Sequence, residues 1–515
     1  MNKYNIYWTD MHSNIHSNQM KDLEKWFEHA KKLLDFWPIA YYPYYMRKDE
    51  TGLGVEDIYP EEVVNKDWEQ LREFVIEKNK EGYPMFMGFE WQGSGLDGDH
   101  NVYYLDNDQN THRPLRYEEL IKLLPLDRAI AIPHHLAYEL GKRGKNWSTH
   151  NEAYSPFVEI YSSHGSSESD VTSVHMARHI HMGPRTSGCT VEDGLNKNNI
   201  FGIIASGDNH SAPAVYGHGL MACLSEQCTK EAIWDAFLNR RVYGVTGDRI
   251  KLDFKINDYV MGSVIENVDS SEKLEAVVNA EGSHAIDRIE LLRNNVLLHV
   301  YTHSGKWEEK ELKENVRFKF KVEFGWGPDR RVYEDIEKKI WQASLKVDGK
   351  ILSIEKCFTN FGQEINNVED DRCDFTLTTY KSSATGKWMG PSPVENEALI
   401  FEVEAPLESI MNLKVDGKIY DLVVREVIEG SQLFHLRDDI EQLTKERWGF
   451  TSYYRDDPFW HNAYKFKVYQ GIVEDGYRAS FKYEIGAKKT DCDNYRVRVY
   501  EKNGHMAWSS PIFIR

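Results

Sequence analysis

The stretch "YNIYWTDMHSNIHSN", residues 4–18, begins as an apolar strand and ends in a cluster of donors: Asp10, His12, Asn14 and His16. A strand that delivers nitrogen and oxygen ligands at its end suits an α/β architecture that gathers its chemistry at one face. The fold reading therefore turns on whether other strands finish the same way. Four more do. "PMFMGFEW" (84–91) carries Glu90, "AIAIPHH" (129–135) ends in His134 and His135, "FVEIYSSH" (157–164) leads to His164, and "FGIIASGDNH" (201–210) ends in Asp208 and His210. Within each of the pairs Asp10/His12 and Asp208/His210 the residues lie two apart, so an extended backbone places them on one face.

Between these strands run helical patterns. Leu23, Trp26, Phe27, Ala30 and Leu34 recur at helical spacing in "QMKDLEKWFEHAKKLLDFW" (19–37). Pro60, Glu61 and Glu62 suit the first turn of a second helix and Gly82 its far end. Thr229 is the expected N-cap of "TKEAIWDAFLNRRVYG". Alternating strands and helices predict a parallel α/β domain over residues 1–250, open or closed into a barrel, with about seven strands. From 251 to 515 the pattern changes to apolar/polar alternation in segments such as "LEAVVNA", "FKFKVEF" and "YRVRVYE". This predicts a β-rich antiparallel sandwich domain, with helical or irregular insertions at "RRVYEDIEKKIWQASLKVDGK" and "RDDIEQLTKERWG".

The chain has 515 residues and a formal net charge of -19. Such an acidic surface disfavours nucleic acid and anionic membranes. No apolar run approaches the roughly 18 residues of a membrane helix, and the opening residues lack a secretory h-region, so a cytoplasmic location is the expectation. The six cysteines are scattered without a C-x-x-C pair and read as small buried hydrophobes.

A lone histidine after a strand is more often a packed or hydrogen-bonded residue than a ligand. Here histidines and carboxylates recur together at strand after strand, which points to a metal centre. The mixed nitrogen and oxygen set suits Mn²⁺, Zn²⁺ or Fe²⁺ better than Ca²⁺. The candidate ligands are Asp10, His12, His16, Glu90, His134, His135, Asp208 and His210, with His100 added by the resemblance described next.

"DMHSNIHS", "GFE" ending at Glu90, "IPHH" ending at His135 and "SGDNH" ending at His210 resemble the successive motifs of the PHP (polymerase and histidinol phosphatase) superfamily. The likeness covers residues 4–250. The whole chain is similar to a bacterial branch in which a β-sandwich follows the barrel, and "MAWSSPIFI" resembles that branch's last strand. The resemblance implies a distorted (β/α)7 barrel with two or three divalent ions at the strand ends and metal-dependent hydrolysis, mostly of phosphoesters. It maps ligand roles onto His12, Glu90, His134 or His135, and Asp208 with His210. Two positions depart from the pattern. Asn14 stands where a second histidine is usual, so either His16 replaces it or that ligand is missing. Tyr41 and Tyr42 stand where an Asp-His pair is usual, and His100 or His164 would have to compensate. A centre of one to three ions follows.

The expected enzyme is a metal-dependent hydrolase, a phosphoesterase acting on a small anionic or sugar-like substrate. His164, His135 and Asp208 are the candidate catalytic groups, with a histidine protonating the leaving group. Asn14, Tyr42, Trp91, Arg185 and Arg249 are candidate substrate contacts, the arginines through bidentate binding of an anion. Lys142, Arg143 and Lys145 read as a small basic patch. Two other readings stand beside this one: a carbohydrate-processing enzyme with aromatic platforms at the mouth, and a binding protein with a decayed metal site.

Overall fold

The opening stretch folds as two short strands, β1 (Asn5–Thr9) and β2 (Asn14–His16), on either side of the turn that holds Asp10 and His12. The computed structural model describes residues 4–171, 184–266, 274–327, 338–380, 385–386, 390–391, 396–449, 459–460, 463–486 and 490–515. The next run forms α1 (Leu23–Leu33), which buries Leu23, Trp26, Phe27, Ala30 and Leu33 along one stripe. After β3 (Trp37–Tyr42) and the hairpin β4 (Tyr44–Lys48) and β5 (Gly54–Ile58) comes α2 (Glu61–Lys80). It starts directly after Pro60 with Glu61 and Glu62 in its first turn. Gly82, at φ 90°, ends its last turn in the left-handed region. The series continues through β6 (Met85–Trp91), β7 (His100–Tyr104), α3 (Tyr117–Leu120), β8 (Ala129–Pro133), β9 (Phe157–Ser162) and β10 (Gly165–Ser166). It ends with α4 (Val191–Asn196), β11 (Gly202–Ala205), β12 (Leu220–Ser225), α5 (Lys230–Leu238) and β13 (Val242–Val245). The Thr229 side chain accepts from the Ala232 amide and caps α5.

The chain is mixed α/β and strand-rich, but its sheets are less uniformly parallel than the sequence predicts. β2, β3 and β6 run parallel, whereas β7 is antiparallel to both β6 and β8. The β6–β7 link spans only residues 92–99. A parallel crossover needs about a dozen residues or more, so this link can only turn the chain back. β9 and β11 are parallel. β1 pairs antiparallel with β12, which pairs with β13, which in turn takes up Met506–Ser509. Among the described residues these ladders do not close into one ring. Side chains from these strands, from α5 and from the joining segments nevertheless meet in a shared core of Met11, Phe36, Phe86, Ile132, Ile204 and Phe237.

Packing divides the chain into two compact units, differently from a cut at residue 250. The first comprises Met1–Gly282, Ile286–Thr302 and Ala479–Arg515; the second comprises Ser283–Ala285 and His303–Arg478. The C-terminal strands stay with the first unit because Met506–Ser509 and Asp493–Glu501 extend the sheet that begins with β1. The second unit holds two antiparallel sheets of six and five strands, whose facing aromatics meet at Phe324–Phe375 and Phe375–Phe401. Lys338–Lys346, expected in an insertion, is a strand of the five-stranded sheet; residues 330–337 of that insertion lie outside the described residues. Arg437–Trp448 is helical. All six cysteines are free thiols. No helix among the described residues is long and apolar enough to cross a membrane.

Candidate metal centre

His134 follows the last residue of β8, its amide held by the Asp99 carbonyl at 3.2 Å. Its side chain is 1% exposed, and among the described residues neither ring nitrogen has a hydrogen-bond partner. A buried imidazole left this way carries a desolvation cost that a bound ligand would offset. The neighbours are ligand groups. Nε2 lies 3.8 Å from Glu90 Oε1, and the ring stands against those of His12 and His135 at 4.2 and 4.4 Å between centroids.

Two donor sets share His134. His12, Glu90 and His134 form one; Asp99, His134 and His135 form the other. In each set all members are buried, with one ligand atom apiece lying within 4.8 Å of the others. His12 Nε2 faces Asp208 Oδ1 at 3.2 Å and Glu90 Oε2 at 3.5 Å. His12 Nε2, His135 Nδ1 and Asp99 Oδ1 are likewise buried without hydrogen-bond partners among the described residues. Behind His12, Glu159 Oε2 lies 2.9 Å from Nδ1. A carboxylate only accepts, so it fixes the proton on Nδ1 and leaves Nε2 as the open donor atom.

Two of these groups sit on strained backbone. His135 has φ 34° and Asp208 φ 51°, a region that costs a non-glycine residue about 1–3 kcal/mol and clusters at functional sites. Asp208 lies at the centre of the histidines: Oδ2 is 2.9 Å from His164 Nε2, and Oδ1 is 3.4 Å from His210 Nε2. On the other side the Tyr138 hydroxyl lies 2.6 Å from His164 Nδ1.

Asn14, 0% exposed, donates to Glu90 Oε2 at 2.9 Å, so it orders a carboxylate of the cluster rather than merely turning the chain. His16 Nε2 is 2.8 Å from His210 Nδ1, beside the Tyr42 ring at 4.6 Å. The Tyr42 hydroxyl donates to Glu56.

Other expected residues lie elsewhere. Asp10 does not face the cluster: its two oxygens accept from the amides of His12, Gly207 and Ala214 and from the Ser13 hydroxyl at 2.7–3.0 Å. It ties the β1 turn to the segment after β11. His100 points away from Glu90, its ring stacked on Tyr117 at 4.5 Å and its Nε2 on Lys145 Nζ at 3.1 Å. Trp91 is 2% exposed and bonds the Pro114 carbonyl. Arg249 donates to the Leu33 carbonyl and lies over Trp8. Arg185 carries a buried Nη1 without a hydrogen-bond partner, and among the described residues it makes no ion pair with these groups. The basic patch is not a patch: Lys142 is exposed, Lys145 is fully buried, and Arg143 turns into the site.

Sequence reasoning missed Asp99 and Glu159, and it read Arg143 as part of a basic patch rather than as a residue of the centre. Glu159 had a signal, a carboxylate inside the apolar strand "FVEIYS". Asp99 and Arg143 lie in glycine-containing loops whose packing no periodicity reports.

Burial holds the His134 and His135 imidazoles well below the usual histidine range, with neighbouring cationic groups adding to it. Both stay neutral, the form that binds a cation. Burial pushes His12 the same way, but Asp208, Glu159 and Glu90 outweigh it and raise His12 well above that range. Burial raises the Asp99 carboxyl against the opposing pull of Arg143.

Comparison with known proteins adds the following. Residues 157–284 match the model of a protein family of unknown function, DUF3604. An uncharacterized protein of Chlamydia pneumoniae is 26% identical over 256 residues, 45% of this chain and 40% of that protein. One from Chlamydia trachomatis is 27% identical over 215 residues, 37% of this chain and 34% of that protein. The matched stretches thus span about two fifths or less of these relatives' length. A solved structure from Bacteroides vulgatus, described as a two-domain protein containing a predicted PHP-like metal-dependent phosphoesterase, aligns over 82% of this chain and 96% of its own. The sequence identity there is 10% and the TM-score 0.30.

Proposed function

We propose that the protein is a metal-dependent hydrolase of the phosphoesterase type, acting on a small molecule, with the ligand-bearing strand ends forming the mouth of a distorted PHP-like barrel. The observation that carries this reading is His134: a buried imidazole with both nitrogens unpartnered, shared by two adjacent donor sets. His12, Glu90 and His134 would hold one divalent ion, and Asp99 with His135 a second beside it. Mn²⁺, Zn²⁺ or Fe²⁺ suits this imidazole and carboxylate set. When bound, such ions supply Lewis acidity and a water acidic enough to react at neutral pH.

The chain's own groups do the rest. Glu159 orients His12 through Nδ1. Asn14 holds Glu90 in place, and Gln92 donates to its other oxygen at 3.0 Å. His164, fixed between Tyr138 and Asp208, carries a proton at Nε2 that can pass to a leaving oxygen. The His16–His210 pair and Tyr42 line the adjoining edge. Asp10 and His100 fall outside the ligand set.

A sugar-processing reading would want aromatic faces open to solvent. Trp37, Tyr41, Trp91 and Trp147 are all at most 3% exposed and belong to the core. The partner we propose is therefore a small molecule, with neither nucleic acid nor membrane.

The test is hydrolysis of a panel of phosphomonoesters and phosphodiesters by protein loaded with Mn²⁺ or Zn²⁺, before and after chelation, alongside His134→Ala. Chelator-sensitive turnover that His134→Ala abolishes is the expected result. Turnover indifferent to chelation, or retained by His134→Ala, would contradict the reading.

A further inference from the structure

We infer that Arg143 is the substrate's anion clamp: its guanidinium takes the anionic oxygens of a phosphoryl or carboxylate group presented to the centre. The inference rests on the metal-centre reading above. Asp99, Glu90, Asp208 and Glu159 make the cluster strongly negative, and an anionic substrate needs fixed positive charge to enter it. Among the described residues Arg143 is the one lysine or arginine within 4.0 Å of any of these carboxylates.

Its placement is built. The Arg143 amide bonds the Gly95 carbonyl at 2.9 Å, and its backbone stands at φ 71°. The following Gly144 is pressed so close to the Tyr138 carbonyl that a Cβ would meet it at 2.0 Å. This holds the loop against residues 95–98 and aims the side chain inward. Nε donates to Asp99 Oδ2 at 2.5 Å, and Nη2 leans on the same oxygen. Nη2 also lies 3.9 Å from Glu90 Oε1, and Nη1 4.0 Å from Glu56 Oε2, beyond hydrogen-bond reach. Nη1 thus has no hydrogen bond among the described residues.

Exposure separates the clamp from its anchors. The Arg143 side chain is 31% exposed, while Asp99 and Glu90 are 0% and 3%. Asp99 grips the inner edge of the guanidinium with Oδ2, the oxygen that also lies 3.4 Å from His135 Nε2. The outer edge, Nη1 and part of Nη2, is left to meet an anion that also reaches the metal-binding groups. That fork geometry is what bidentate recognition of a phosphoryl or carboxylate group uses.

The test is calorimetric titration of metal-loaded protein with inorganic phosphate and, separately, with acetate, in wild type, Arg143→Gln and Arg143→Lys. Metal content and circular dichroism are measured on each sample. Arg143→Gln should weaken anion binding about ten- to hundredfold with metal content and fold unchanged. Arg143→Lys, which keeps the charge without the fork, should recover part of it. Phosphate bound more tightly than acetate assigns a phosphoryl group, and the reverse order a carboxylate. Anion binding unchanged in Arg143→Gln would overturn the clamp. So would metal lost together with the anion, which would make Arg143 a support for Asp99. A wild type that takes up no metal would contradict the metal-centre reading instead, and phosphate binding that still depends on Arg143 would then support the clamp by itself.

Discussion

Replacing Glu159 by glutamine removes one negative charge 2.9 Å behind His12 and almost nothing else. Glu159 is 2% exposed, and its Oε2 receives both His12 Nδ1 and the Ser206 hydroxyl, the latter at 2.7 Å. A hydrogen bond to a charged group contributes about 1.5–3 kcal/mol and a neutral one about 0.5–1.5 kcal/mol. Changing the charged acceptor for an amide therefore weakens the hold on His12 by about 1–1.5 kcal/mol, close to a tenfold change in an equilibrium constant. Partners behind a ligating histidine typically account for about 10–100-fold in metal affinity. Glu159→Gln should accordingly bind metal about tenfold more weakly, and Glu159→Ala, which leaves Nδ1 unpartnered, nearer a hundredfold. The assay is competition against a metal-indicator dye, with circular dichroism to show that the fold is kept. Ser206→Ala is the control: it removes the second donor to the same oxygen and leaves the His12 contact, so its effect should be small. Wild-type affinity in Glu159→Gln, or a larger loss in Ser206→Ala, would refute the reasoning.

Three further outcomes follow from the geometry. Asp10→Asn turns an amide nitrogen toward two of the four donors now held by a buried carboxylate, so the metal-free protein should lose roughly 3 kcal/mol or more in urea denaturation with chelator present. A merely metal-ligating Asp10 would leave that metal-free stability unchanged. Gly88→Ala would place a Cβ 2.4 Å from the Tyr103 ring and the Val102 carbonyl across the β6–β7 ladder. It should cost about 1–3 kcal/mol, read as a lower denaturation midpoint; an unchanged midpoint would mean the two strands are not so close. His29 on α1 is lowered to about 4 by burial, with Lys32 and Lys25 beside it. The unfolded chain then takes up a proton near its ordinary value of about 6.5 that the folded chain refuses. Stability contributed by neutral His29 is lost as pH falls from about 6.5 toward 4, and His29→Gln should flatten that part of the stability–pH curve. An identical slope in both proteins would count against it.

How much of this was legible in the sequence differs by kind of feature. His12, Glu90, His134, His135, Asp208 and His210 could be gathered in advance because each stands at or just past a strand, and strand ends in this architecture converge. The choice between His134 and His135 could not be made from the sequence, and in the structure both belong to a donor set with Asp99. His100 was misplaced because it follows Asp99 directly, and adjacent residues of an extended segment point to opposite sides. Asp10 has the ligand-like spacing to His12, yet it serves backbone amides of residues 207 and 214, a long-range contact that spacing does not encode. The same limit explains the sheets. The opening stretch reads as a strand and the family resemblance marks "MAWSSPIFI" as another, but only the folded chain shows that β1 and Met506–Ser509 belong to one sheet with β12 and β13 between them. The short β6–β7 link holds Gly93, Gly95 and Gly98. Counting its residues would have indicated the antiparallel return.

The most direct measurement is elemental analysis of purified wild-type and His134→Ala protein after incubation with Mn²⁺ or Zn²⁺ and removal of free metal. The account predicts one to two equivalents per chain in wild type and the loss of the ion held with His12 and Glu90 in His134→Ala, because this imidazole completes that donor set. No metal in wild type, or equal metal in both proteins, would contradict it.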